Sequence, residues 1–205
     1  MYFIIDKRIP IEAENKLKTF GQLIEIESKN ITYEAISGHP DIFMTQFDDI
    51  LIVAPNCPKK ILNQLNDYKI PFESGLSNLK SKYPHTAHYN ACISDHFIIH
   101  NQNITDITIK NKAEKKGLKY IHVNQGYTRC NLIPLKNNVF ITCDQKIYNE
   151  LNNQNIEVHY FSNKNILLSG FKNGFLGGCI GVHKKMVFII GSVQYLEDQT
   201  TFLQL

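Results

Sequence analysis

The stretch that decides the fold is Asp41–Ala54, which reads DIFMTQFDDILIVA. Two short apolar runs flank the polar pair Asp48 and Asp49, a pattern that is typical of a tight β-hairpin. The second run, ILIVA, is apolar throughout, and such runs are typical of strands that are covered on both faces. The stretch therefore predicts a two-stranded hairpin with a buried second strand.

The same pattern recurs three times along the chain. Further hairpins are predicted over 90–99, 129–142 and 177–190, with the second strands HFIIH, VFITC and MVFII. The turns are spaced by 47, 42 and 47 residues, measured between Asp48, Asp95, Asn137 and Lys184. Repetition at a nearly constant period indicates a repeated structural unit.

Helical patterns follow the hairpins, and further strands follow two of the helices. The predicted helices are Lys59–Tyr68 after Asn56 and Pro58, a weaker one that begins at Thr105 or Asp106 and ends at Gly117, Gln145–Asn152 after Asp144, and Val193–Leu205 after Ser192. The predicted third strands are Lys119–Val123 and Glu157–Phe161. Strand Tyr2–Ile5, helix Ile11–Thr19 and strand Gln22–Glu27 repeat part of the pattern, so residues 1–30 contribute to a closing unit.

The repeat predicts an α/β fold of five hairpin–helix–strand units. Five units with a period of about 45 residues would need about 225 residues, so the fifth unit is predicted to be incomplete. The chain has 205 residues, of which 43% are apolar and 20% are charged, and this composition predicts one globular domain over residues 1–205.

Composition also narrows the functional classes. No apolar run approaches the length of a membrane helix, and Asp6, Lys7 and Arg8 interrupt the apolar start, so a cytoplasmic protein without a membrane partner is predicted. The net charge of +3 has no concentrated basic segment, which argues against a nucleic-acid partner. The five cysteines form no Cys-x-x-Cys pair, and His85, His88, His96 and His100 lack a Glu or Cys at a known metal-ligand spacing. No metal and no cofactor are therefore predicted.

Three segments carry a resemblance to a known fold family. They are Gly38-His39-Pro40-Asp41, Gln125-Gly126-Tyr127-Thr128-Arg129-Cys130-Asn131 and Gly174-Phe175-Leu176-Gly177-Gly178. Together with the repeat they resemble the pentein fold, the five-bladed α/β propeller of guanidino-group-modifying enzymes, and most closely a small bacterial pentein-like family of unknown function. The resemblance implies a five-bladed propeller in which the first strand of each hairpin approaches a central axis.

The implied axis brings polar residues together. Asp41, Asn90, Asn131 and Cys179 would converge there, with His39, Arg129 and Gly178 beside them. One hypothesis is a polar core that is non-catalytic or binds a small guanidine- or amino-acid-like molecule. The alternative is a Cys-dependent hydrolase or amidinotransferase that acts on a guanidine or amidine compound.

In the alternative, Cys179 is the nucleophile and His39 the acid that protonates the leaving amine. Asp41 would hold the guanidinium, and the remaining substrate-binding residues would be Asn90, Arg129, Asn131 and Gly178. Cys179 follows a glycine pair as in the enzymes, but it falls in the fourth hairpin and not in the last blade. Arg129 would either clamp a substrate carboxylate or pair with Asp41 or Asp144. A homo-oligomer in which a second subunit completes the fifth unit is a further hypothesis.

Overall fold

The computed structural model describes residues 1–205. Thirteen strands are arranged in five separate small sheets. In chain order the strands are β1 Tyr2–Asp6, β2 Gln22–Ile26, β3 Met44–Gln46, β4 Leu51–Val53, β5 Phe72–Ser74, β6 Cys92–Ile93, β7 Phe97–His100, β8 Lys119–His122, β9 Leu132–Pro134, β10 Phe140–Thr142, β11 Val158–Tyr160, β12 Ile180–His183 and β13 Met186–Ile189. The α-helices are α1 Ile11–Lys18, α2 Pro40–Phe43, α3 Lys59–Asp67, α4 Ile107–Lys115, α5 Thr128–Asn131, α6 Gln145–Asn153 and α7 Gln199–Gln204.

The three central sheets share one design. In each of them an antiparallel hairpin is followed by a helix and by a third strand that pairs in parallel with the second strand of the hairpin. The predicted hairpin–helix–strand unit is therefore present three times. The third strand β5 was not predicted, because its sequence Phe72-Glu73-Ser74 contains no apolar run.

The two terminal sheets are incomplete in complementary ways. The first sheet contains only the parallel pair β1–β2 and lacks an antiparallel first strand. The fifth sheet contains only the hairpin β12–β13 and lacks a parallel third strand. The structure is thus two strands short of five three-stranded sheets.

The first strands of the hairpins begin later than predicted. The segments predicted to start strands at Asp41, Arg129 and Gly177 are instead short helical turns, namely α2, α5 and the 3-10 turn Leu176–Cys179. In α2 the Met44 N–H donates to the carbonyl of Pro40, so local hydrogen bonds satisfy the backbone as it turns into the strand. We call residues 38–43, 89–91, 128–131 and 176–179, which lead into β3, β6, β9 and β12, the hub.

Apolar layers hold each sheet against the next. The largest core cluster joins the first three sheets, and Ile52, Tyr89 and Ile98 are among its members. A second cluster joins the third and fourth sheets, and a third cluster joins the fourth and fifth. The Phe188 ring of β13 lies 4.9 Å from that of Phe3 and 5.4 Å from that of Phe20, measured between centroids, so the fifth sheet also contacts the first part of the chain.

The prediction that every second strand is covered on both faces is only partly correct. Strands β4 and β10 are fully buried, but β13 exposes Met186, Val187 and Ile189. The fifth sheet has no third strand against β13, which accounts for the difference.

Helix capping follows the predicted residues in two of four cases. Asp106 and Asp144 accept hydrogen bonds from the first backbone N–H groups of α4 and α6. Asn56 instead exchanges hydrogen bonds with the backbone of Leu79, and Ser192 precedes a 3-10 turn while Asp198 caps α7. The longest helices have nine residues, and no helix has the length and apolar character needed to cross a membrane.

The two glycines of the 3-10 turn Leu176–Cys179 give a matched test of hub packing. A Cβ on Gly177 would lie 2.3 Å from the carbonyl oxygen of Arg129, whereas a Cβ on Gly178 would meet nothing within 4 Å. We expect Gly177→Ala to lower the free energy of unfolding by about 1–3 kcal/mol, because a backbone oxygen of a neighbouring turn must move. Urea denaturation would measure the loss, and Gly178→Ala is the control that should leave stability nearly unchanged. Equal stability of both variants would show that the hub turns do not pack this closely.

Candidate functional site

The side chain of Asn90 connects three hub segments. Its Nδ2 donates to the carbonyl oxygen of Asp41 at 2.8 Å and to Cys130 Sγ at 3.2 Å, and its Oδ1 accepts from the Cys130 N–H at 3.1 Å. Asn90 has no exposed surface, and its own carbonyl accepts from the Arg129 N–H at 2.9 Å. The amide thus satisfies buried polar groups on two neighbouring turns at once.

The thiol of Cys130 faces the carboxylate of Asp41. Cys130 Sγ donates to Asp41 Oδ2 at 2.9 Å, and only 1% of Cys130 is exposed. Burial, together with the nearby Asp41 carboxylate, raises the pKa of the Cys130 thiol well above its ordinary value. The thiol is therefore held as S–H and acts as a hydrogen-bond donor.

His39 lies beside this pair. A ring nitrogen of His39, a carboxylate oxygen of Asp41 and Cys130 Sγ all lie within 4.8 Å of one another. The His39 side chain is 21% exposed, and its Nε2 lies 3.9 Å from Asp6 Oδ2 at the end of β1. Three chemically different donors therefore meet where the second and fourth units approach each other.

The hub brings together three of the predicted residues and adds a fourth. His39, Asp41 and Asn90 converge as predicted, but the cysteine that joins them is Cys130. The sequence analysis gave Cys130 no role of its own, although it lies inside the segment 125–131 that carries the resemblance. Its neighbours Arg129 and Asn131 were selected because they are polar, whereas an isolated cysteine is by default a small buried side chain.

Arg129 and Asn131 have structural partners. The Arg129 guanidinium donates to the carbonyl oxygens of Gly177 at 3.2 Å and Ile180 at 2.9 Å, so it pairs with neither Asp41 nor Asp144. Asn131 donates to the Tyr127 carbonyl at 2.8 Å and faces the thiol of Cys143. The two Arg129 hydrogen bonds connect the fourth unit to the fifth.

Cys179 lies in a different environment from Cys130. Its sulfur is 3.7 Å from the carbonyl oxygen of Phe175, and the side chain packs against the apolar layer between the fourth and fifth sheets. Burial raises the pKa of the Cys179 thiol, and no hydrogen bond joins it to a histidine or a carboxylate. Gly178, beside it, is exposed.

The backbone also shows which hub positions are equivalent. In three of the four hairpins, the residue after the second strand donates its N–H to a hub carbonyl: Ala54 to Phe43, Cys143 to Asn131 and Ile190 to Cys179. Asn131 and Cys179 therefore occupy matching positions, while Asp41 lies two residues before its match. The predicted residues share chemistry but not register.

The four histidines between residues 85 and 100 do not gather at one point. His85 Nδ1 lies 3.3 Å from His88 Nε2, and His96 is at the exposed hairpin turn. His100 is completely buried, with Nε2 2.8 Å from the Gly126 carbonyl and Nδ1 2.7 Å from the Thr105 hydroxyl. Because a carbonyl only accepts, Nε2 carries the proton in the neutral ring.

Replacing Asn90 tests how much the hub depends on its amide. We expect Asn90→Ala to lower the free energy of unfolding by about 2–4 kcal/mol, because the Asp41 carbonyl and the Cys130 N–H lose their partners while buried. The exposed Asn103→Ala is the control and should be close to neutral. Denaturant unfolding of both variants gives the comparison. If Asn90→Ala is no less stable than Asn103→Ala, the assigned role is wrong.

The burial of His100 should make the free energy of unfolding depend on pH. Burial lowers the pKa of His100 from 6.5 to about 4, so the unfolded chain binds a proton that the native ring does not. The contribution of the neutral His100 ring to stability is therefore fully present above the unfolded pKa of 6.5 and is lost as the pH falls below that value. Between about pH 7 and about pH 5 we expect the free energy of unfolding to fall by about 2 kcal/mol from this group.

Unfolding of three proteins at the two pH values isolates the contribution of this ring. The pH dependence should be much weaker in His100→Gln and unchanged in His96→Gln, which replaces the exposed histidine of the same sheet. A pH dependence in His100→Gln as steep as that of the wild type would show that the buried ring is not its source.

Comparison with known proteins gives a family but no activity. No curated protein matches the sequence. Among solved structures, agmatine deiminase from C. jejuni matches 92% of this chain and 67% of its own, with 11% identity and a TM-score of 0.44, a similarity too weak to assign an activity. The model of a family of unknown function, DUF6873, matches residues 4–204. Since this match spans nearly the whole sequence, the chain belongs to the DUF6873 family.

Proposed function

We propose that this protein is a one-domain, pentein-like propeller that binds a small polar or cationic molecule at its hub and does not hydrolyse guanidines. Five small sheets of related design support the propeller, as do the apolar layers between successive sheets. The contact of Phe188 with Phe3 and Phe20 supports closure of the five units into a ring. The segments that carry the pentein resemblance lie in or next to the hub.

The observation that carries the binding function is unused hydrogen-bonding capacity. Asp41 Oδ2 accepts from the Cys130 thiol, but Asp41 Oδ1 has no partner within the protein, and neither ring nitrogen of His39 has a hydrogen bond. Both side chains are only partly buried. The Asp41 oxygen and the His39 imidazole, with the Asp6 carboxylate 3.9 Å from His39 Nε2, can bind the N–H groups of an amidinium, guanidinium or ammonium compound.

The state of the thiols supports a function without hydrolysis. Attack on a guanidine carbon requires a thiolate beside a proton donor. Cys130 is buried, protonated and bound to a carboxylate that disfavours its ionisation. Cys179, the nucleophile of the alternative hypothesis, has neither a histidine nor a carboxylate as a hydrogen-bond partner.

One observation favours the alternative, a Cys-dependent hydrolase or amidinotransferase. His39 lies within 4.8 Å of Cys130 and Asp41, so a histidine, a carboxylate and a thiol are adjacent. If the protein is such an enzyme, this geometry supports Cys130 as the nucleophile in place of Cys179.

Ligand binding by the metal-free protein tests the proposal. A panel of guanidinium, acetamidine, arginine and simple amino acids is titrated against protein treated with a chelator, with thermal shift and calorimetry as readouts. We expect at least one compound to raise the Tm, and Asp41→Asn to weaken its binding by at least tenfold because the charged acceptor is removed. Asp48→Asn, at an exposed hairpin turn, is the control that should bind as the wild type does.

The same samples distinguish binding from hydrolysis. Ammonia and urea release are measured, and intact mass is recorded after incubation with a halo-amidine label. We expect no product and no stoichiometric adduct. Product release together with one adduct on Cys130 or Cys179 would replace this proposal with the enzymatic alternative. If no compound of the panel binds, the proposed binding function is refuted.

A further inference from the structure

Three side chains at the hub carry atoms of the kinds that bind metal ions. A His39 nitrogen, an Asp41 carboxylate oxygen and the Cys130 sulfur lie within 4.8 Å of one another. Cys130 comes from α5 of the fourth unit, and the other two come from α2 and the residue before it in the second unit. Cys130 lies 89 residues after Asp41, and the sequence predicted its neighbour Asn131 at the axis in its place.

We propose that His39, Asp41 and Cys130 bind a zinc-class divalent metal ion with three protein ligands and one remaining coordination position. The inference deepens the proposed function, because it names a metal cation as an occupant of the same hub. It rests on the proposed function only because both use His39 and Asp41, whose ring nitrogens and Oδ1 make no hydrogen bond within the protein.

The donor set selects the class of ion. Sulfur and imidazole nitrogen are ligands that Zn²⁺ and similar transition metals prefer, while Mg²⁺ and Ca²⁺ prefer oxygen. Three protein ligands with an open position are typical of zinc sites that keep a water or bind a further small ligand. A site with one S, one N and one O donor therefore favours zinc over the hard cations.

The charge balance also favours a dication. At present one proton lies between Cys130 and Asp41, which keeps a buried thiol from becoming a second anion next to the carboxylate. A bound M²⁺ replaces that proton: the S–H bond breaks, an S–metal bond forms, and the proton is released to solvent. The Asp41 carboxylate, the Cys130 thiolate and the dication then sum to zero charge.

The required movement is small. Metal–ligand distances of about 2.0–2.3 Å place tetrahedral ligands about 3.5 Å apart. The Cys130 sulfur and the Asp41 oxygen are now 2.9 Å apart and need to separate slightly. His39 makes no side-chain hydrogen bond, and its Nε2 lies 3.9 Å from Asp6 Oδ2, beyond hydrogen-bond distance, so its ring can turn toward the other two donors.

Asn90 orients the ligands from behind. It donates to the sulfur of Cys130 and to the backbone carbonyl of Asp41, so it fixes the two ligand-bearing turns relative to each other. Supporting hydrogen bonds of this kind hold metal ligands in place before the metal arrives. Arg129, the cation next in sequence to Cys130, donates to two backbone carbonyls and so does not pair with the Asp41 carboxylate.

Cobalt titration of the reduced, chelator-treated protein tests the site directly. Co²⁺ reports sulfur ligation through a thiolate-to-metal charge-transfer band in the near ultraviolet, and Zn²⁺ should abolish that band by displacement. We expect one equivalent of Co²⁺ to bind with this band. Cys130→Ser should eliminate the band, and Cys179→Ser, the matched control at the other candidate thiol, should retain it.

A second variant keeps the test decisive if Cys130→Ser does not fold. His39 is partly exposed, so His39→Gln should leave the fold intact and weaken Co²⁺ binding at least tenfold while the sulfur band remains. No charge-transfer band in the wild type, a band that depends on Cys179 and not on Cys130, or unchanged affinity in His39→Gln would each overturn the inference.

The outcome also separates this inference from the proposed function. If Co²⁺ binds through Cys130 and no organic compound of the panel binds, the metal site is supported and the small-molecule proposal is refuted. An amidine or amino acid that binds through Asp41, without a sulfur–cobalt band, would support the proposed function and refute the metal site.

Discussion

The constraint on which the structure depends is the pairing of polar groups where the hub turns of different units meet. A repeat of small sheets can stack through apolar layers alone, but the second to fifth units also bring a turn with backbone polar groups into the hub, and three of these turns are helical. Asn90 satisfies groups on the turns of the second and fourth units from its position on the third, and Arg129 does the same between the fourth and fifth. Apolar packing sets the distance between sheets, whereas these directional bonds set how the turns are aligned.

The repeat could be predicted from sequence because the second strand of each unit is nearly all apolar, a pattern that survives even in strands of three residues. The short helical turns before β3, β9 and β12 could not, because one turn of helix leaves no periodic signal and local backbone bonds stabilise it. The site could be predicted only in part, because the strand starts were predicted but the turns before them were not. Polar residues near the strand starts identified His39, Asp41 and Asn90, but the exact register of each turn decides which neighbour points inward, and at the fourth unit that neighbour is Cys130 and not Asn131.

Electrostatics give the hub a consistent chemical character. A thiol next to a carboxylate is a poor nucleophile, since its ionisation would place two anions together in a buried site. The same arrangement is a good receptor for positive charge, whether that charge is a proton, an organic cation or a metal ion. His39 adds an imidazole nitrogen beside the carboxylate, and Arg129 is directed toward carbonyl oxygens. Both proposals for this hub therefore follow from one property, a carboxylate that has no cationic partner and accepts its side-chain hydrogen bond from the neutral Cys130 thiol.

The incomplete terminal sheets matter less for this site than the missing strands suggest. The hub residues that converge belong to the second, third and fourth units, and each of these has a three-stranded sheet. The fifth sheet leaves Met186, Val187 and Ile189 of β13 exposed, and among the side chains of β13 it is Phe188 that contacts Phe3 and Phe20. Local opening costs least where few apolar contacts and few strand pairs must be broken. Opening at the junction of the fifth and first sheets would therefore leave the hydrogen bonds among Asp41, Asn90 and Cys130 in place, because none of them crosses that junction.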